Sequence, residues 1–443
     1  MEKRTVRRVA NFQKIFCFVS FVFILVCCLW YGGRFIYFYL ESNKSTKTSV
    51  SSLSMDVLAN NSKSDNFKKI NDNYYFVGNV SNNYVRYSNI LWRIFKIDKD
   101  NRIYLISDDI MTTIAYGEDV SYSDSYVSKW LNKDKNDNSG ILESNINNVS
   151  NYLDKYKVCI DKIDDNSNVK CNKEYSDSYI GLLSILDYMN TGGSDSFINN
   201  GYDSYLSNST SDNEVWYITN NGKIDKSDGT DIFGVKPVIS LKNNIKFANG
   251  DGSLDNPYVI DNDKSLFGGY VNLGGDIWRI YDVDGDVVKL MLNDTLKVND
   301  EKLSYIYSND SYYHNDTVYG SLAYYLNHTY LNSLTYKDKI ISNNYSNGYY
   351  DSNYNYGDIL KSTIDTKVSV ISIGNVMLYN KSDSVWTNTG TVKNKSMVYV
   401  IADDGSLSSK SVSSKGYVIP CISINKDILT KGNGTKNSPY EME

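Results

Sequence analysis

The sequence predicts an α+β protein: two tandem copies of a mainly antiparallel β domain with short helices, behind one N-terminal transmembrane helix. Three observations carry this reading. One long run of sequence is written twice, each copy alternates in the manner of paired strands, and an uncharged apolar stretch follows a basic N-terminus. The repeat is plainest where Val215 to Phe247 aligns without a gap to Val398 to Thr430, 33 residues in each run. Trp216 falls opposite Tyr399, and Asn221-Gly222 opposite Asp404-Gly405. The chain has four prolines, Pro237, Pro257, Pro420 and Pro439, and all four sit at matched places. Upstream, Trp92-Arg93-Ile94 matches Trp278-Arg279-Ile280, and Trp130-Leu131-Asn132 matches Tyr325-Leu326-Asn327. A period this long suits whole domains, each with its own core, better than the short units of a solenoid.

In chain order, residues 1–14 are a basic tail containing Lys3, Arg4, Arg7, Arg8 and Lys14. Residues 15–33 then run 19 positions without a charge, enough to cross a bilayer as a helix. The flanking charge predicts a single-pass signal anchor with a cytoplasmic N-terminus and extracellular C-terminal domains. A cleaved signal peptide is the rival, but the apolar region is long for one and no small-residue cleavage site is visible. Residues 34–69, rich in Ser, Asn and Lys, read as a flexible stalk, with a strand near Met55 to Leu58 as the alternative. The first domain spans 70–260, a linker 261–266, and the second domain 267–443.

Within the first domain, Ile90 to Ile97 and Ile103 to Ile106 alternate like a hairpin. The second has the same pattern around Asp284-Gly285, a two-residue turn signal. Ser125 to Asn132 reads as a short helix capped by Asp124, with Ser321 to Asn327 as its partner. Cys159 and Cys171 flank a polar loop and form a disulfide candidate outside the membrane, with no counterpart in the second domain. Tyr179 to Met189 fits a buried strand or a short helix. Asn221-Gly222 and Asp404-Gly405 mark hairpins, each followed by the strand that holds a matched proline. The closing tails, Gly250 to Tyr258 and Gly432 to Tyr440, read as turn-rich exits from each domain. Trp92, Trp278 and the four prolines form the predicted scaffold.

A net charge of −6 argues against nucleic acid as a partner. The two histidines, His314 and His328, both lie in the second domain, so no His-based triad repeats. No phosphate-binding loop, zinc-protease or nucleophile-elbow motif occurs, and the DVDGD turn (Asp282 to Asp286) breaks the calcium-loop pattern. No catalytic residue, metal or cofactor is expected. The 40 tyrosines suit either AT-rich coding or a recognition surface.

The stretches NNYVRYSNILWRIFKID, KWLN, YIGLLSILDY and GVKPVISL…GDGSLDNPY resemble an uncharacterised surface domain of gut Firmicutes and Mollicutes-like bacteria. It usually stands behind an N-terminal anchor. The resemblance covers residues 74–260 well and 266–442 less well, since Ile419 and Tyr399 depart from it. It implies a C-type-lectin-like fold, similar to formylglycine-generating enzymes, and carries over no catalytic residue. The expectation is a membrane-anchored binding or adhesion protein recognising a glycan or a cell-surface protein. The alternatives are a cell-envelope-modifying enzyme with a cryptic site and a structural spacer. Loops between constant anchors are where recognition usually lies, which nominates Tyr202, Tyr205, Trp216 and Tyr217 as the ligand face.

Overall fold

Each half of the protein is built on a seven-strand run of sheet that opens with a hairpin and is closed by its own tail. In a computed structural model, residues 52–133, 140–309, 316–351, 359 and 362–442 are described. The basic tail, the apolar segment 15–33 and the stalk as far as residue 51 lie outside them, as does His314. Among the described residues no helix is long and apolar enough to cross a membrane.

The first long sheet has the strand order Ile180–Gly181, Val238–Leu241, Ile103–Ser107, Ile90–Ile97, Tyr84–Tyr87, Tyr258–Ile260, Phe247–Asn249. The second runs Val368–Val370, Pro420–Asn425, Val287–Leu292, Asp276–Asp284, Tyr270–Leu273, Tyr440–Met442, Leu429–Lys431, which matches it strand for strand. Smaller sheets also correspond. Ile224–Asp228, Glu214–Ile218, Ser204–Ser209, Ile232–Val235 and Thr112–Ala115 are mirrored by Leu407–Ser411, Met397–Ile401, Val385–Thr391, Lys415–Tyr417 and Ser304–Ile306. The protein is thus mostly β with short helices. The prolines begin or precede strands, where a missing N–H costs nothing.

The closing tails do more than lead the chain out. Tyr258 pairs in parallel with Val85, and Tyr440 with Val271, so each tail becomes a strand of its own sheet. Getting there needs glycine. Gly250 (φ 106°) and Gly432 (φ 82°) lie against the carbonyls of Pro257 and Pro439, where an added Cβ would collide.

The helix predicted around Trp130 spans Tyr126–Leu131, and its cap is Ser125, whose Oγ accepts from Ser128 N–H, not Asp124. Its partner begins at the Ser321 cap and continues through a π-helical turn at Tyr325–Tyr330. Asn132 and Asn327 then make the same clasp: each side chain bonds both backbone groups of one strand residue, Ile180 or Val368. The ambiguous run Tyr179 to Met189 resolves into both options, a strand at Ile180–Gly181 followed by a helix at Ile185–Asn190. Part of the predicted stalk instead forms a helix, Leu53–Asn61, that sends Leu53 and Val57 into the core, and a strand, Phe67–Ile70. Cys159 and Cys171 are bridged, with Cα atoms 5.7 Å apart, beneath the hairpin Tyr156–Cys159/Glu174–Ser178.

The described residues belong to one compact unit. The repeat predicts a separate core for each half. There are two apolar clusters, but they trade residues. Ile110 of the first half packs in the second cluster, and Tyr350, Ile373 and Val376 of the second half pack in the first. Buried polar bonds cross the same seam. Trp130 Nε1 donates to Gly374 O (2.7 Å), Met377 N to Met111 O (2.8 Å), Thr113 Oγ1 to Gly405 O (2.8 Å), and Ala115 N to Tyr350 Oη (2.7 Å).

With cores shared in this way, urea should unfold both halves in one transition. Ile110→Ala should lower stability by about 2–4 kcal/mol, the usual cost of an aliphatic truncation in a core. Separate midpoints for Trp-containing segments of each half would contradict the shared packing. Reduction of Cys159–Cys171, which closes a separation of 12 residues, should cost about 3 kcal/mol by the loop-entropy relation. Paired denaturation curves with and without reductant measure it.

Candidate functional site

The nominated aromatics do not form one exposed face. Tyr205 is 2% exposed, and its hydroxyl accepts from Tyr116 N and donates to Asp231 O. Trp216 is 5% exposed, with Nε1 donating to Ile163 O at 2.7 Å. Both are core residues, on opposite faces of the sheet: Tyr205 shares the face of Tyr217 and packs on Phe233, and Trp216 points to the other side. Tyr217 is half-buried and stacks on Phe233, with ring centroids 4.2 Å apart. Tyr202 lies at the seam against the second core, near Asp109, Asp403 and Asp404, and burial pushes its hydroxyl up to about 12. The scaffold residues are where a scaffold should be: Trp92 and Trp278 are fully buried.

What the sequence did not nominate is the seam itself. A cleft of about 710 Å³ opens between the halves. One wall comes from the hairpin of the first half (Arg86, Asn89, Ile90, Leu91), from Asp108 to Met111, and from its tail (Leu254, Asp255, Pro257). The other comes from Tyr270, Arg279, Met377 to Tyr379 and Lys381, and from the second tail, Asn433 to Asn437. Its size suits a small-molecule or oligomeric ligand.

Most charges in or behind the cleft are cancelled. Asp109 meets Lys381 Nζ at 2.7 Å, and Asp108 lies 3.4 Å from Arg93. Arg93 is sealed: it stacks between Tyr84 (3.9 Å) and Phe197 (4.6 Å) and bonds Asn83 Oδ1 and Val80 O. Behind it, Lys236 is buried and donates to Ile198 O at 2.9 Å. Burial pushes its ammonium down to about 8, with Asp108 and Asp109 pulling the other way. Asp255 at the rim is exposed.

The exposed Lys436 of the second tail and two guanidinium groups remain. Arg86 is half-buried in the cleft wall and has no hydrogen bond or ion pair among the described residues. Burial lowers its pKa, and the charge of Asp263 offsets this only in part. Asp263 is itself occupied by Ser88 N–H and the Asn147 amide. Arg279 stacks on Tyr270 (4.1 Å) and donates to Gly268 O, again without a carboxylate partner among the described residues. No family model, curated protein or solved structure matches this chain.

Acid–base machinery is not assembled here. The adjacent carboxylates Asp108 and Asp109 are both tied to cations. His328 is exposed elsewhere, stacked on Tyr324 with Nε2 3.1 Å from Asp316 O. Cys421 is buried, and burial pushes its thiol up to about 12, away from the nucleophilic form. The bridged pair beside Asp161 offers no thiolates to a metal.

Lys236 gives a pH signature. Below about pH 8 it is charged in both states, and its burial is a constant cost. Between about pH 8 and 10.5 the unfolded chain holds a proton that the folded chain has released, so this group makes stability rise with pH. Lys236→Met should abolish that rise and add roughly 2–3 kcal/mol at neutral pH, since each tenfold change in proton affinity is worth about 1.4 kcal/mol. Urea midpoints across that range test the sign.

Proposed function

We propose that this protein is a cell-surface binding or adhesion protein. It is held by the apolar segment 15–33 with its N-terminus inside, and displays two tandem C-type-lectin-like domains that share one ligand cleft. The single observation carrying this reading is the composition of the seam. It is a preformed concavity of mixed polar and apolar lining with two guanidinium groups that make no ion pair with a carboxylate among the described residues, and its adjacent carboxylates Asp108 and Asp109 are both tied to cations. Buried or half-buried charge without a partner is costly, and proteins retain it mainly where function uses it. The tandem arrangement supports the same reading, since the cleft takes one wall from each half. The ligand class fits an extended glycan or a cell-envelope polymer, and the membrane is the other partner.

The test is a glycan and envelope-polymer binding screen with the full-length chain in detergent, compared with Leu254→Trp. That residue is 57% exposed at the mouth of the cleft, so a larger side chain should obstruct entry without disturbing the core. The expected outcome is a loss of at least about tenfold in affinity, equivalent to about 1.4 kcal/mol, with an unchanged melting temperature. Unchanged affinity would place the ligand elsewhere. Turnover of an envelope polymer by the same sample would replace the binding reading with the enzyme one.

A further inference from the structure

The repeat supplies an internal comparison that defines the ligand's chemistry. Arg93 and Arg279 occupy the same place in the two halves, each on the second strand of the opening hairpin and each stacked on the tyrosine opposite it, Tyr84 or Tyr270. In the first half the charge is closed off by Asp108 and by the ring of Phe197. In the second half Arg279 has neither kind of cover among the described residues. The residue matching Asp108 is Asn293: the N–H of Asp108 bonds Leu91 O, and that of Asn293 bonds Ile277 O, the equivalent carbonyl. Asn293 carries no charge, and its amide is turned to the neighbouring Asp294. Arg279 keeps only carbonyl partners, Gly268 O at 2.8 and 3.0 Å and Leu378 O at 3.4 Å. One scaffold arginine is therefore neutralised and the other is left charged against the cleft.

The first half adds a second cation to the same cleft. The Arg86 guanidinium makes no side-chain hydrogen bond or ion pair among the described residues, and the charge of Asp263 only partly offsets its burial. Its counterpart across the repeat is Asn272, which lies outside the cleft lining. The lining also carries apolar side chains, Ile90, Leu91 and Met377 among them, which reduce the screening of a charge held there. The chain as a whole carries −6. General electrostatics would repel an anion, so any anion selectivity must come from local cations, this pair together with the exposed Lys436 at the rim.

Resting on the reading of the cleft as the binding site, we propose that its ligand bears an anionic group, a carboxylate or a phosphate, gripped by Arg86 of one half and Arg279 of the other. Guanidinium suits both anions because its planar fork of donors matches their paired oxygens. Neither half could make this grip alone.

The experiment uses the full-length chain in detergent and three probes of similar length: a galacturonic acid trimer, a glycerol phosphate trimer and maltotriose. Affinity is measured by calorimetry, and hydrogen exchange locates each probe. At least one acidic probe should bind about tenfold or more tightly than maltotriose, the difference expected from one charged hydrogen-bonded contact. Which one does so tells carboxylate from phosphate. It should weaken with salt and protect residues 86–91, 254–257 and 433–437 from exchange. Arg86→Gln should bring its affinity down to the level of maltotriose, and Arg86→Lys should restore part of it. Arg279→Lys, checked for an unchanged melting temperature, should weaken it as well. If maltotriose binds in the cleft as tightly as the acids, and Arg86→Gln changes nothing, the anion proposal is overturned while the cleft stands. If binding occurs with protection confined to other segments, both fail.

Discussion

The structure depends on one constraint, the parallel pairing of each closing tail with the first strand of the hairpin Tyr84–Tyr87/Ile90–Ile97 or Tyr270–Leu273/Asp276–Asp284. Val85 with Tyr258, and Val271 with Tyr440, bring the two ends of each half together. The tail must turn sharply to reach that edge, which glycine at 250 and 432 permits by allowing close approach to the proline carbonyls. The consequence reaches the cleft. Leu254, Asp255 and Pro257 from one tail and Asn433 to Asn437 from the other form its rim, while Arg86 and Tyr270 stand on the strands that the tails pair with. Scaffold closure and site construction are one event.

The seam explains how two similar halves become one unit. Exchange of Ile110 for Tyr350, Ile373 and Val376 buries apolar surface that neither half covers alone. The indole of Trp130 reaching Gly374 O makes the helix of the first half answer to a turn of the second. Such contacts tie the two cleft walls to each other. Divergence between the copies then acts on charge, through a carboxylate at 108 and an amide at 293. The arginine of the first half is covered by a carboxylate and a ring, and that of the second half has only carbonyl partners and a tyrosine ring among the described residues.

Tyrosine abundance misdirects attention to the surface because the ring is apolar and its hydroxyl needs only one partner. Tyr87, Tyr122 and Tyr205 are buried with hydroxyls donating to backbone carbonyls, of Asn147, Ile180 and Asp231. Burial with a satisfied hydroxyl is ordinary core behaviour. Tyr205 and Trp216 therefore belong to the packing, and replacing them would test folding before binding.

The sequence by itself determined the repeat, its scaffold tryptophans and prolines, the hairpins at Asn221-Gly222 and Asp404-Gly405, and a β-rich α+β class. These are local or periodic signals, set by side-chain alternation and turn chemistry. It also carried the Cys159–Cys171 pairing, because a separation of 12 residues around a polar loop keeps the partners close. The tail strands stayed hidden, since parallel pairing joins segments far apart in the chain and leaves only a glycine-proline trace. The helix Leu53–Asn61 stayed hidden too, because Leu53, Met55 and Val57 alternate with polar residues as a strand would. Only the tertiary structure decided the site. Arg86 and Arg279 are far apart in sequence and each looks like an ordinary strand residue. Whether a charge has a partner depends on which distant carboxylate folds beside it, and no local pattern records that.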